Sequence, residues 1–148
     1  MILPSSVHSL DQLTTIIWEI EEALSQLQKN PQLKPQFSTS TEKLFALNSV
    51  RDFTNSTGLT IKEALEDVRK NSKQIHISTG AVTSFEWQEQ IVKWFRNEVD
   101  GSLFCSFSTD TTQGGGIVVR TPKKQYDFTF KQRVLNNSDK LMELMKTK

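Results

Sequence analysis

The residues most able to do chemistry begin at Gly114-Gly115-Gly116. Consecutive glycines can wrap an anion, and in a phosphate loop they follow a strand and lead through Lys-Ser or Lys-Thr into a helix. Here they lead into the β-branched run Ile117-Val118-Val119-Arg120, and no such pair follows at the required spacing. The glycines read instead as the opening of a β-hairpin. Its second strand is Tyr126-Asp127-Phe128-Thr129-Phe130, after a Pro122-Lys123-Lys124-Gln125 turn. The other reactive types are scattered. His8 lies near the start, and His76 on the polar phase of an alternating run, away from any cysteine or second histidine. A metal site needs at least three convergent ligands. Cys105, with Leu103 and Phe107 beside it in a strand pattern, reads as a small buried hydrophobe. No serine sits in a Gly-x-Ser-x-Gly elbow. Asp100, Asp110 and Asp127 fall at turns and strand edges, where aspartate is favoured for its local hydrogen bonds. No catalytic residue, cofactor or metal is expected.

One cluster could bind rather than react. Arg120, Lys123, Lys124, Lys131 and Arg133 surround the hairpin, with Tyr126, Phe128 and Phe130 interleaved. Bases stacked on sheet aromatics inside a basic rim are the pattern of single-stranded RNA binding. Alternation places the three aromatics on one face, which a small sheet needs for its core, and the lysines then solubilise a turn. The 18 basic side chains are balanced by 17 acidic ones, so no global field draws the chain to nucleic acid or to an anionic membrane. No nucleic-acid partner is expected.

The elements that position these residues follow from periodicity in 148 residues, enough for one domain or two small ones. Ser9 and Gln12 make a capping box. Leu10, Leu13, Ile17, Ile20, Leu24 and Leu27 then form the seam of a first helix, which Asn30-Pro31 ends. A second helix is expected from Thr39, with Leu44, Leu47, Val50 and Phe53 as its stripe and Gly58 as its stop. A third is expected from a Thr60 cap, carrying Ile61, Ala64, Leu65 and Val68. The period then changes. Gln74 to Thr79 alternates as a strand, and Thr83 with Glu86 caps a fourth helix bearing Trp87, Ile91, Trp94, Phe95 and Val99. Ser102 to Thr109 is a second strand, the hairpin follows, and Lys131 to Met145 forms a last helix with a weak point at Asn136-Asn137-Ser138. The expected fold class is α+β. A helical region over 1–72, of about three helices, precedes a small β-α-β-β-β-α domain over 73–148. Its first two strands, joined through a helix, could run parallel.

No apolar run approaches the ~20 residues that span a bilayer. Asp11, Glu19, Glu21 and Glu22 interrupt any signal-peptide core, and the early acids with no arginine before Arg51 argue against a transit peptide.

The second half resembles the C-terminal domain of the delta subunit of F-type rotary ATP synthases, the bacterial counterpart of mitochondrial OSCP. The matching pieces run in order. They are Ile75 to Ala81 for the strand leading into a helix, Ser84 to Arg96 for that helix, and Leu103 to Asp110 for the next strand. Gly115 to Arg120 resembles the family's Gly-Gly-apolar-x-apolar-Arg signature, and Tyr126 to Leu135 its aspartate-led segment before the terminal helix. The family's Gly-Ser after the aspartate is Phe128-Thr129 here, and its six-helix N-terminal bundle is matched by about three helices. The E subunit of V-type ATPases is a neighbouring resemblance. What the resemblance implies is a non-enzymatic peripheral-stalk (stator) subunit serving ATP synthesis and proton transport. Its partners would be the N-terminal helices of the alpha subunits and the C-terminal helices of a b-type stalk. It would lie in the cytoplasm, peripheral on the inner face of the membrane and not inserted. Val134, Leu141, Met142 and Met145 become the residues for stalk contact, with core closure as their other reading. Gly115, Gly116, Arg120 and Asp127 become structural signature residues. A helix-binding adaptor outside ATP synthase and an RNA-binding α+β module are the rival readings.

Overall fold

The computed structural model describes residues 1–136, with side chains as far as Arg133. Five α-helices and four strands follow in the order α1 (Leu10–Lys29), α2 (Thr39–Leu47), α3 (Asn55–Asn71), β1 (Gln74–Thr79), α4 (Phe85–Glu98), β2 (Phe104–Thr109), β3 (Ile117–Arg120), β4 (Gln125–Asp127) and α5 (Phe130–Asn136). The class is α+β, as the change of period indicates. The chain forms two compact units, each made of two segments. One joins Met1–Lys73 to Glu89–Phe104; the other joins Gln74–Gln88 to Cys105–Lys148.

In the helical unit, α1 starts at the expected capping box. The Ser9 hydroxyl accepts the Gln12 N–H at 3.3 Å, and the Gln12 side chain accepts the Ser9 N–H at 3.1 Å. Leu13, Ile16, Ile17, Ile20 and Leu24 bury the seam against Leu44, Ile61 and Leu65, joined by Leu3, Val7 and Phe104. Each such side chain contributes about 1.5–3 kcal/mol by leaving water.

The second and third helices depart from expectation. Helix α2 starts at Thr39 as expected, with Ser38 as its N-cap, but stops at Leu47. Ser49 takes a left-handed φ of 57°, and the Val50 and Ser49 N–H groups reach back to the carbonyls of Phe45 and Ala46. That is a Schellman termination, usually signalled by glycine and here built on serine. Val50 and Phe53 therefore pack from the connection rather than from a helix. Helix α3 starts six residues early, capped by Thr54 in a reciprocal pair with Thr57. Gly58 is inside it, because a Cβ there would lie 2.7 Å from both Leu24 and Phe53.

Glu19 ties α1 to α2. One carboxylate oxygen accepts the buried Thr41 hydroxyl at 2.6 Å and the Ser38 hydroxyl at 3.0 Å. Replacing Glu19 by alanine should cost about 1–2 kcal/mol, the price of an impaired buried hydroxyl and a loosened cap. Urea titration followed by circular dichroism would measure it, and a change below a few tenths would exclude the tie.

His8 carries a pH dependence in the same unit. Burial, then the Arg96 charge, hold its imidazole below the ordinary 6.5, against a hydrogen bond to the Ser6 backbone and the Glu89 charge. The unfolded chain takes up a proton near 6.5 that the folded chain refuses, so this stability is present above 6.5 and lost as pH falls through the lower folded value. The urea midpoint should drop between pH 7.5 and 5.5, and the His8→Gln variant should show a shallower drop. Parallel curves for the two proteins would exclude His8 as the source.

The sheet unit is four-stranded, in the order β2-β1-β3-β4. Phe104 N–H donates to Lys73 O and Asp110 N–H to Thr79 O, an unchanged offset that makes β1 and β2 parallel, as a helical crossover allows. Strand β3 runs antiparallel to β1, with Ile77 opposite Val119 and His76 opposite Arg120, and β4 is antiparallel to β3. Strand β2 starts at Phe104, two residues later than expected, because Asp100 caps the turn before it through the Ser102 N–H and hydroxyl. The cap of α4 also moves by one residue, since the Ser84 hydroxyl accepts the Trp87 N–H. Cys105 is buried, as its neighbours indicate.

Candidate functional site

The glycine-led hairpin is where the sequence placed its signature residues. Gly114, Gly115 and Gly116 all have positive φ, at 64°, 102° and 88°. The demand for glycine is strongest at Gly116, where an added Cβ would lie 2.5 Å from the Phe128 carbonyl oxygen and 2.7 Å from Thr129 Cα. At Gly115 it would lie 2.9 Å from the Phe130 ring. The loop thus passes flush against the segment leading into α5. Phe128 N–H to Ile117 O (2.9 Å) and Phe130 N–H to Gly115 O (3.2 Å) seal the two together. This close approach of two backbones accounts for the glycines at 115 and 116.

Asp127 works at the same junction. Its carboxylate accepts the Thr129 hydroxyl at 2.6 Å and the Thr129 N–H at 2.9 Å, and those bonds hold its pKa below the ordinary carboxylate value. Thr129, in turn, accepts the Gln132 N–H at 3.3 Å. Thr129 is therefore the cap of α5, and Asp127 fixes the cap rather than being it. Arg120 donates from Nε to Gln125 across the hairpin at 3.1 Å, so it braces the strand pair. Of the residues expected at a stalk contact, Val134 lies in α5 with its side chain outside the described part. Leu141, Met142 and Met145 lie outside the described residues.

The sheet has two unlike faces. On the polar one, His76 is held between two serines, Nδ1 to Ser106 Oγ and Nε2 to Ser108 Oγ, both at 2.8 Å. This is a structural clamp across β1 and β2, with both ring nitrogens occupied by hydroxyls. Among the described residues no group of three His, Cys, Asp or Glu side chains could hold a metal.

On the other face the aromatics differ from expectation. Phe107 meets Trp87, with ring centres 6.1 Å apart. Tyr126 and Phe128 are left about half exposed, at 46% and 50%, whereas Phe130, expected as a third ring of this face, is instead the first residue of α5. Alternation correctly gave Tyr126 and Phe128 a shared face, but it did not show that this end of the face stays uncovered.

The helical unit holds a cleft of ≈ 660 Å³ lined by residues including Met1, Ile2, Leu47, Val68, Lys93 and Arg96. Met1, Ile2 and Leu47 are exposed. The Arg96 guanidinium is committed to backbone carbonyls, donating to Pro4 O at 2.8 Å, Val7 O at 2.6 Å and Leu103 O at 3.0 Å. The cleft therefore combines apolar surface with the Lys93 and Asp100 side chains at its lining. Trp18, 73% exposed on α1, is a second apolar point on the same unit. No helix among the described residues is long and apolar enough to cross a membrane. The chain matches no known family profile and no curated protein.

Proposed function

We propose that the chain is a non-enzymatic stator subunit of a rotary F-type ATP synthase, joining the catalytic head to a b-type peripheral stalk. The observation that carries the reading is the hairpin junction. The residues that resemble the family signature, Gly115, Gly116, Arg120 and Asp127, each have a structural task there. In this reading the sheet unit holds the C-terminal helix of the stalk. The helical unit meets the N-terminal helices of the alpha subunits through apolar surface of the kind seen in its cleft and at Trp18. Helix-in-groove packing suits a part that must resist torque, because apolar contacts supply strength without chemistry. The subunit sits at the cytoplasmic face of the membrane, held there by its partners.

Purification of the tagged protein from its own membranes in mild detergent, followed by mass spectrometry, tests this. Alpha, beta and b-type subunits should be recovered in fixed ratio. A bait that stays alone after full solubilisation, or that brings down RNA instead, would overturn the reading.

A further inference from the structure

We propose that Tyr126 and Phe128, with the lysines of the adjoining turn, form a docking surface for an acidic amphipathic helix. The inference rests on the stator reading only for the identity of that helix, the end of the b-type stalk. Strand register puts Tyr126 opposite Val119, and Val119 opposite Ile77, on the apolar face of the sheet. Trp87 at the start of α4 covers Phe107 on this face. The β4 end keeps two rings that are nearly parallel, 8° apart in plane and 6.5 Å between centres.

Three observations specify the occupant. First, Tyr126 stands on β4 and Phe128 just beyond it, where the bond from its N–H to Ile117 O and the glycine junction fix the chain, so their display costs little ordering on binding. Second, their spacing is close to the ~6 Å between side chains one helical turn apart, so one apolar stripe of a helix can meet both. Addition of a strand to the sheet edge is the poorer fit, because β4 is three residues long and lysines at its turn discourage edge pairing. Third, charge is concentrated here. Residues 123–131 carry Lys123, Lys124 and Lys131 against the single carboxylate of Asp127, which Thr129 engages. That is an excess of two positive charges in a chain whose net charge is +1. An apolar stripe flanked by carboxylates is the complement of such a surface.

The test uses the full-length protein in its own cells, with Phe128 replaced by the photo-crosslinker p-benzoylphenylalanine. The crosslinked peptide should be an acidic amphipathic helix, and a synthetic peptide of that sequence should bind the purified protein. Tyr126→Ser with Phe128→Ser should weaken binding at least tenfold. The exposed-turn pair Lys123→Glu with Lys124→Glu should do the same, and raised salt should weaken wild-type binding. Circular dichroism melts confirm that each variant is folded. A crosslink to a b-type subunit supports both readings. A crosslink to an acidic helix of another protein keeps the docking surface and overturns the stator assignment. A crosslink to RNA, to residues 137–148 of the same chain or to no partner, or a charge-reversed variant that binds unchanged, overturns the docking surface. Co-purification then decides the stator reading separately.

Discussion

The Arg96→Ala protein should be less stable than the wild type by about 3–5 kcal/mol. Arg96 donates three hydrogen bonds to main-chain carbonyls, and a bond to a charged donor contributes roughly 1.5–3 kcal/mol, with losses that are not additive. Its guanidinium also lies 5.5 Å from the centre of the Phe104 ring, which adds a cation–π contact. Two of the carbonyls belong to Pro4 and Val7 in the segment before α1. Removing the guanidinium leaves those carbonyls in want of a donor and frees a segment whose Leu3 and Val7 are in the core. Arg96→Lys should recover only a minor part, because one ammonium cannot reach three carbonyls in the fork that a guanidinium spans. Urea unfolding measures the loss, and limited proteolysis should show early cutting within residues 1–9. A loss under about 1 kcal/mol would mean the segment is held by its apolar residues alone.

Gly116→Ala should cost about 3 kcal/mol or more, whereas Gly114→Ala should cost about 1 kcal/mol. Both positions have positive φ, so both variants carry the ordinary strain of a left-handed residue. They differ in what the new methyl meets. At Gly114 there is nothing within 4 Å; at Gly116 there is main chain, Phe128 O at 2.5 Å and Thr129 Cα at 2.7 Å. A side chain can turn aside, but this backbone is pinned by the bonds of Phe128 and Phe130 across the hairpin. The methyl must therefore break the junction or stay strained. Thermal melts of the two variants side by side give the contrast, and loss of amide-exchange protection at Phe128 and Phe130 locates it. Equal melting temperatures for both variants would show that the junction yields freely.

Much of this fold is legible in the sequence where one short-range rule acts alone. The α1 seam, the Ser9–Gln12 box, the alternation of β1, the parallel β1–β2 pair and the hairpin turn all follow from period and spacing. Legibility fails where the usual signal is carried by an unusual residue. Ser49 ends α2 in a position that glycine commonly fills, so the end is invisible to a search for glycine. Gly58 invites the opposite error, because it serves close packing inside α3 rather than a helix stop. The candidate surfaces were read in part. The glycine run was legible as the opening of a hairpin and Asp127 as an aspartate making local hydrogen bonds, since both roles depend on near neighbours in sequence. The role of Arg96 was not legible. Its carbonyl partners at Pro4 and Val7 lie 92 and 89 positions away, and nothing in a helical arginine marks it as a tie to the start of the chain. Nor can alternation tell a covered face from an open one, which is how the exposure of Tyr126 and Phe128 went unread.

The helical unit draws on two separated stretches of chain, Met1–Lys73 and Glu89–Phe104. This has a consequence for the order of events during synthesis. A ribosome that has released residue 73 has delivered all of α1, α2 and α3, yet neither Arg96 nor Phe104. Residues 1–73 thus carry an apolar cluster that they cannot finish. The emerging chain must hold that cluster open while the β1 sequence and most of α4 are still being decoded, a delay of a few seconds at elongation rates of about 5–20 residues per second. Stalled nascent chains should accordingly gain protease resistance in α1–α3 only after residue 104 has cleared the exit tunnel. Resistance already complete at residue 73 would show that the three helices close without their late partners.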